Sequence, residues 1–274
     1  MEFVDKALAR RLEAAEEIPQ IHYAAAYQKL RPELGAEARE ICGGHMVFAG
    51  VGSPIGRAVG MGLDRPLTAA DLDTIENFYR SHQAPAQVDL CPLHDPELFE
   101  IMRKRGYATA ELNNVLWRRL RQDVNFTPTP RELAIRRGES AEAEQFADIV
   151  ARSFHEYGDP PEGFQAMLTP LFQFPGVVPY VALVDSKMAG VGTGMVIAKH
   201  SIVALFGAGT LPEFRNRGIQ SALLRVRMQA ALNKGCDVAV IVTRGGTTSQ
   251  RNAERLGFRL AYSKVTLLKE FEKS

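Results

Sequence analysis

The sequence of 274 residues has few cysteines, almost no net charge and no long apolar run, and each of these absences excludes a class of protein. Its three cysteines, Cys42, Cys91 and Cys236, are far apart and show neither a CxxC pair nor a Cys/His spacing. We therefore expect reduced thiols, no disulfide framework and no metal site. The formal net charge is +1, which gives no overall electrostatic reason to expect nucleic acid or an anionic membrane as a partner. No apolar run approaches the roughly 20 residues that a membrane-spanning helix needs.

What is present is the composition of an ordinary globular protein, with 46% hydrophobic and 24% charged residues. The N-terminal segment MEFVDKALARRLEAAEE is charged throughout and lacks the apolar stretch of a signal peptide, so we expect a soluble cytoplasmic protein. The length favours two domains. Residues 121–130, RQDVNFTPTP, combine two prolines with little apolar periodicity, which is typical of a linker. We predict domains at 1–125 and 126–274.

Apolar periodicity predicts helices and strands along the whole chain. The predicted helices are 3–17, 21–30, 67–81, 95–105, 140–154, 161–172, 219–234 and 248–256. The predicted strands are 41–49, 58–63, 87–90, 109–120, 132–136, 177–184, 189–197, 201–210, 238–243 and 258–268. Thr68 is the predicted N-cap of its helix, because Asp71 follows it at the spacing of a capping box.

The two halves repeat each other. Gly60-Met61-Gly62 ends a predicted strand in the first half, and Gly207-Ala208-Gly209 does so in the second. In each half a helix, a further strand, a second helix, a Gly-aromatic pair and a last strand follow at similar spacing. Matches that recur in the same order predict a duplicated architecture.

One segment of the second half has the composition of an anion site. A strand ends in glycines, a short turn carries Arg215, Arg217 and Gly218, and a helix begins at Ile219. The first N–H groups of a helix lack internal partners and lie at its positive end, and glycine lets an anion approach the backbone closely. A pyrophosphate would suit this arrangement. Read alone, the short string is also compatible with a solvated helix start bearing two surface arginines.

Residues 201–268 resemble the central motifs of the GNAT N-acetyltransferase superfamily. The loop pattern of that family is Arg/Gln-x-x-Gly-x-Gly/Ala, which Arg215 and Gly218 match and from which Gln220 departs at the last position. Residues 249–258 resemble the later motif, a helix beside the cofactor that ends in Gly-Phe. The resemblance covers about residues 131–270. It implies an α+β (mixed α/β) fold of two GNAT-like domains, each with a central mixed, mostly antiparallel sheet flanked by helices.

The resemblance also implies an activity and a set of site residues. The activity is transfer of an acetyl group from acetyl-CoA, as cosubstrate, to an amine of a small molecule or a protein. The pantetheine arm would lie between the strand through Phe206 and the strand that starts at Val238. A backbone N–H near Phe206 or Ala208 would polarise the thioester. The implied cofactor-binding residues are Phe206, Gly207, Ala208, Gly209, Arg215, Asn216, Arg217, Gly218, Ile219, Gln220, Ser221 and Asn252.

The catalytic acid and base are not assigned by the sequence. Strand 201–210 contains no carboxylate, and Ala253 stands where the family often has a tyrosine. The side chains nearby in sequence that could substitute are Ser249, Tyr262, Tyr180, His200 and Glu213, each of which has an ordinary structural role as its alternative. A chain of water molecules could also take the proton of the amine.

The first half lacks the cofactor loop. Asp64 and Asp71 lie where a phosphate would bind, so residues 1–125 are interpreted as a degenerate GNAT-like domain, with an unrelated α+β domain as the alternative. For the whole chain, a non-catalytic acyl-CoA-binding or regulatory protein remains the alternative to an enzyme, and a scaffold that binds no CoA is a third hypothesis. An internal pseudo-dimer would make a monomer reasonable, and a homodimer stays open.

Overall fold

A computed structural model describes residues 3–53, 55–94, 96–121, 133–154 and 160–272. Within it the chain forms two compact units that are not contiguous in sequence. The first unit comprises Met1–Leu116, Thr243–Thr247 and Leu260–Ser274, and the second comprises Trp117–Val242 and Thr248–Arg259. The predicted linker lies almost wholly outside the described residues, so the division at 125/126 stays a prediction.

Seven helices and eleven strands are found among the described residues. The helices are α1 Lys6–Leu30, α2 Ala69–Ser81, α3 Glu97–Lys104, α4 Ala143–Phe154, α5 Phe164–Leu168, α6 Ile219–Leu232 and α7 Thr248–Arg255. The strands are β1 Glu37–Ile41, β2 Gly44–Phe48, β3 Ala58–Val59, β4 Ala86–Leu90, β5 Ala108–Arg119, β6 Leu133–Arg137, β7 Val177–Val184, β8 Lys187–Ile197, β9 Ile202–Thr210, β10 Val238–Arg244 and β11 Arg259–Lys269. None of these helices is long and apolar enough to cross a membrane.

In the first unit the strands lie in the order β1-β2-β3-β4-β11-β5. The pairs β1/β2, β2/β3 and β4/β11 are antiparallel, and β3/β4 is parallel. Alternate strand residues and one face of α2 bury a core around Leu72, Ile75 and Val88. The last strand of the chain therefore completes the sheet of the first unit.

Helix α1 differs from the two helices predicted at 3–17 and 21–30. It runs unbroken through Pro19, although proline inside a helix removes a hydrogen bond and costs about 3 kcal/mol. Leu12 on one side of Pro19 and Tyr23 on the other are almost fully buried. Burial of each large apolar side chain contributes about 1.5–3 kcal/mol, so packing outweighs the local signal to stop.

Two predicted strands of the first half were also wrong in extent. The single strand predicted at 41–49 is a hairpin, because Cys42 and Gly43 both adopt positive φ and turn the chain between β1 and β2. The strand predicted at 58–63 ends at Val59, where Gly60 takes up a left-handed conformation. The capping box of α2 is confirmed: the Thr68 hydroxyl accepts from the Asp71 N–H, and the Asp71 carboxylate accepts from the Thr68 N–H.

In the second unit the strand order is β10-β9-β8-β7-β6. All neighbouring pairs are antiparallel except β9/β10, which is parallel. Helix α6 packs on β7, β8 and β9, and α4 packs on β8 and β9. Ile219, Ala222 and Leu223 of α6 join Tyr180 and Ala182 of β7 in a buried cluster.

The duplication predicted from the sequence is visible in the topology of the two units. Each contains two successive antiparallel pairs followed by one parallel pair, β1-β2-β3-β4 in the first and β7-β8-β9-β10 in the second. A glycine with positive φ is associated with the strand before each parallel crossover: Gly60 follows β3, and Gly207 lies within β9. The fold is thus α+β with mixed, mostly antiparallel sheets flanked by helices, as predicted.

Candidate active site

The parallel strands β9 and β10 are hydrogen-bonded to each other only along the first half of β9. Their ladder joins Ile202–Leu205 to residues 238–241 and goes no further. Beyond it, Phe206, Gly209 and Thr210 pair with β8 on the other side. Residues 202–205 are buried, whereas residues 206–210 are half-buried. The second half of β9 therefore presents a backbone edge that β10 does not cover, which an extended ligand can pair with as an added strand would.

A β-bulge lies in this open part of β9. Thr193 pairs with Phe206 and Val191 with Gly209, so Gly207 and Ala208 together stand opposite the single residue Gly192. Gly207 has φ +52°, a left-handed conformation that favours glycine. A bulge turns local N–H groups out of the regular ladder, and here it turns them at the open end of the strand.

Gly209 has a different reason to be glycine. A Cβ at this position would lie 2.5 Å from Ser153 Oγ and 3.0 Å from the Ile149 carbonyl oxygen, both in α4. The close approach of α4 therefore already requires a residue without a side chain. This steric reason is separate from any role toward a ligand, and the predicted contact of Gly209 with the cofactor stays a prediction.

The turn after β9 positions the predicted loop at the start of α6. A short 3-10 turn at Pro212–Phe214 is followed by Arg215, and then Asn216 and Gly218 adopt φ +63° and +74°. Gly218 is the N-cap residue of α6 and supplies no side chain to its first N–H groups. A Cβ on Gly218 would meet nothing within 4 Å, so the space beside this residue at the helix start is open. Such a helix start is suited to bind a phosphate group.

Gln220, which departs from the family pattern, has its side-chain amide engaged at both ends. Its Nε2 donates to Ser249 Oγ at 3.2 Å, and its Oε1 accepts a hydrogen bond from Asn252 Nδ2. Both partners belong to α7. The side chain is thus tied to the neighbouring helix, and the Gln220 backbone N–H stays in the first turn of α6.

The predicted cofactor residues lie within the second unit, on the open part of β9, on the loop and first turn of α6, and on α7. Arg217 is exposed and lies over the Phe214 ring, with its guanidinium carbon 5.6 Å from the ring centroid. Asn252 is linked to the first turn of α6 by its hydrogen bond to the Gln220 side chain. The backbone edge and the unfilled helix start fit a pantetheine arm and a pyrophosphate, and the role of each residue stays a prediction.

The side chains considered as substitute acids or bases have other surroundings. Tyr180 is 6% exposed and packs in the apolar cluster beneath α6. Tyr262 belongs to the first unit and donates to the Glu13 carboxylate at 2.7 Å. Ser249 accepts from Gln220, and Glu213 is exposed in the turn before the loop. Ala253, at the position where a tyrosine is frequent, is fully buried.

Sequence reasoning missed one polar residue of this region, Arg227. It is 2% exposed, in the third turn of α6, and its Nη1 donates to the Thr193 carbonyl opposite the bulge. An arginine on an amphipathic helix is ordinarily exposed, so only its phase, with Leu223 and Leu224 one turn before it, could have signalled burial.

The corresponding helix start in the first unit is closed. Arg65 forms two hydrogen bonds to the Asp71 carboxylate, at 2.7 and 2.8 Å, and the same carboxylate accepts from Thr68. The Arg65 guanidinium holds the pKa of Asp71 well below its usual range, so this negative charge is fixed at the N-terminus of α2. The Asp71 carboxylate thus already takes up hydrogen-bond donors at this helix start, in line with the interpretation of this half as degenerate.

Comparison with known proteins agrees with this geometry. A family scan matches residues 143–258 to the acetyltransferase (GNAT) family. Residues 143–258 are a GNAT acetyltransferase domain. No curated protein sequence matches the chain at a significant level.

The likeness of the chain to solved structures extends well beyond residues 143–258. A GCN5-related N-acetyltransferase from Kribbella flavida is 16% identical, with a TM-score of 0.65, over 92% of this chain and 96% of that one. A tandem GNAT protein from the clavulanic acid biosynthesis pathway is 11% identical, with a TM-score of 0.62, over 84% and 79%. A GCN5-related N-acetyltransferase from Sphaerobacter thermophilus is 18% identical, with a TM-score of 0.56, over 75% and 67%. Identities this low show the fold alone, and the shared fold agrees with the predicted architecture of mixed, mostly antiparallel sheets flanked by helices.

Proposed function

We propose that the chain is an acetyl-CoA-dependent N-acetyltransferase that acts on an amine by direct transfer. The observation that carries the proposal is the pairing of an open β9 edge with an unfilled start of α6 in one unit. A strand edge and a helix N-terminus together match an extended amide-containing arm that ends in a pyrophosphate.

In this proposal the residues of the second unit divide the work of binding. The first N–H groups of α6, with Gly218 and the charge of Arg215 and Arg217, hold the pyrophosphate. The backbone from Phe206 to Gly209 pairs with the pantetheine arm. An N–H in the bulge donates to the thioester oxygen, where negative charge develops during the reaction.

Bound acetyl-CoA supplies a thioester carbonyl carbon, to which the amine nitrogen forms a bond as the carbon–sulfur bond breaks. The amine loses one proton, and CoA leaves as a thiolate. Because β9 carries no carboxylate, the proposal assigns no side chain to that proton and gives it to water. The rate should accordingly rise with pH until the acceptor amine is neutral.

The alternative is a non-catalytic acyl-CoA-binding or regulatory protein, and the buried Ala253 at the frequent tyrosine position favours it. Isothermal titration with acetyl-CoA tests the binding site, and a panel of small and peptide amines, followed by release of free thiol, tests transfer. Binding with turnover above the background rate supports the enzyme. Tight binding without turnover supports the alternative, and folded protein that gives no heat at high micromolar acetyl-CoA refutes both.

The proposal extends to the two halves of the chain. Residues 126–274 would supply the acetyl-CoA site and residues 1–125 would serve as a degenerate GNAT-like domain. In the first unit, the Arg65–Asp71 pair supports the second part of this assignment, because it places a carboxylate where a phosphate would bind.

A further inference from the structure

Arg227 is a buried cation. It lies in α6 with 2% of its surface exposed, and among the described residues no carboxylate forms an ion pair with it. Burial lowers its pKa to about 10, which leaves it charged at neutral pH. Its Nη2 makes no hydrogen bond to a described residue. Burying a charge in this way is costly, so the side chain calls for an explanation beyond packing.

The guanidinium is directed at one point of the sheet. Nε donates to the Leu223 carbonyl of its own helix at 2.9 Å, which fixes the side chain. Nη1 donates to the Thr193 carbonyl in β8 at 2.7 Å. A Cβ on the neighbouring Gly192 would lie 2.8 Å from the guanidinium carbon, so the side chain reaches this carbonyl only because residue 192 is glycine.

The part of β8 that Arg227 contacts lies directly opposite the β9 bulge. Gly192 is the single β8 residue opposite Gly207 and Ala208, and Thr193 pairs with Phe206 where the bulge begins. Backbone atoms beside a bulge lack the regular ladder that would otherwise hold them in register. A charged hydrogen bond from a rigid helix supplies that restraint.

We infer that Arg227 is a positioning residue for acetyl transfer: it holds Gly192 and Thr193 so that the bulge of β9 directs its N–H toward the thioester oxygen. The inference rests on the proposed function. Because Arg227 belongs to the helix whose first turn would hold the pyrophosphate, one rigid element then aligns the pyrophosphate and the thioester of the cosubstrate. A displacement of about 1 Å at a reacting centre can lower the rate about a hundredfold.

The test compares Arg227→Met with the control Arg225→Met, which removes a half-buried arginine from the same helix without touching the bulge. For Arg227→Met we expect kcat to fall at least tenfold while the Kd for acetyl-CoA, measured by titration, and the KM for the amine stay within threefold. In the apo protein, the backbone amide resonances of Gly207 and Ala208 should shift. The control should match wild type in every measurement.

Two further variants keep the inference testable if Arg227→Met does not fold. Arg227→Lys retains one donor and should recover part of kcat, and Gly192→Ala should lower kcat by displacing the guanidinium. Unmoved Gly207 and Ala208 resonances, an unchanged kcat, or equal losses in kcat and acetyl-CoA affinity overturn the inference while the proposed function stands. So does the failure of all three variants to fold, since the side chain would then be structural. Wild-type protein that acetylates no amine refutes the proposed function as well.

Discussion

Replacing Gly218 by alanine separates the conformational role of this glycine from its role toward a ligand. Gly218 adopts φ +74° at the start of α6, and a Cβ there would meet nothing within 4 Å. The methyl group therefore clashes with no part of the protein. Its effect on stability comes only from the left-handed backbone, and its effect on binding comes only from the space that the ligand would occupy.

Both effects have a magnitude. A left-handed alanine costs about 1–2 kcal/mol, which lowers Tm by about 2–8 °C for a protein of this size. A methyl group over the first N–H groups of α6 prevents at least one charge-assisted hydrogen bond to the pyrophosphate. Such a bond contributes about 1.5–3 kcal/mol, so the Kd for acetyl-CoA should rise about 10- to 100-fold.

The other end of the same helix provides a matched control. Gly235 follows α6 and adopts φ +83°, and a Cβ added to it would likewise meet nothing within 4 Å. Gly235→Ala should lose about as much stability as Gly218→Ala and leave the Kd unchanged. Thermal unfolding and isothermal titration measure the two quantities. If both variants bind acetyl-CoA as wild type does, or both lose affinity equally, the pyrophosphate is not held at Gly218.

Individual side chains give three further predictions. Lys264→Met should lower the free energy of unfolding, measured in urea, by about 3–5 kcal/mol. The substitution leaves the carboxylates of Glu13 and Asp89 buried without the ammonium group that lies 3.5 Å from each, and a loss below about 1 kcal/mol would contradict this reasoning. Gln220→Ala should leave the Kd for acetyl-CoA within about threefold, since its side chain is engaged with α7, and a tenfold loss in titration would mean that the side chain itself binds the ligand. Burial alone would raise the pKa of Glu17, but hydrogen bonds with His45 and Arg10 outweigh it, and the pKa is lowered. The Glu17 carboxylate therefore stabilises the fold above its unfolded pKa of about 4.3, and this stabilisation is lost as the pH falls through the folded pKa. The stability gap between wild type and Glu17→Gln should therefore narrow in unfolding curves recorded from pH 7 down to pH 3, and a gap that widens would refute the sign.

Local signals in the sequence were sufficient for much of the candidate site. Gly207 of β9, the loop to Gly218 and the start of α6 follow from short-range rules, because a left-handed residue and a helix start each depend on a few neighbouring residues. The Thr68 capping box was predictable for the same reason. The order of elements also revealed the duplication, since it repeats along the chain.

Other features depend on residues that only folding brings together. Pro19 would end a helix by local preference, yet α1 continues because its buried face has partners on both sides of the proline. Gln220 departs from the loop pattern in the sequence, and only the fold brings Ser249 and Asn252 beside it to bind its side-chain amide.

By itself, the sequence determined most of the elements, their repetition and the loop at Arg215–Gln220, because periodicity, glycine placement and capping act over a few residues. Only the tertiary structure decided that β11 completes the sheet of the first unit, where Lys264 meets carboxylates of α1 and β4. Only it showed that Arg227 is turned inward to the β9 bulge. Strand pairing and the burial of charged side chains depend on which distant segments come into contact, and a local sequence pattern does not contain that information.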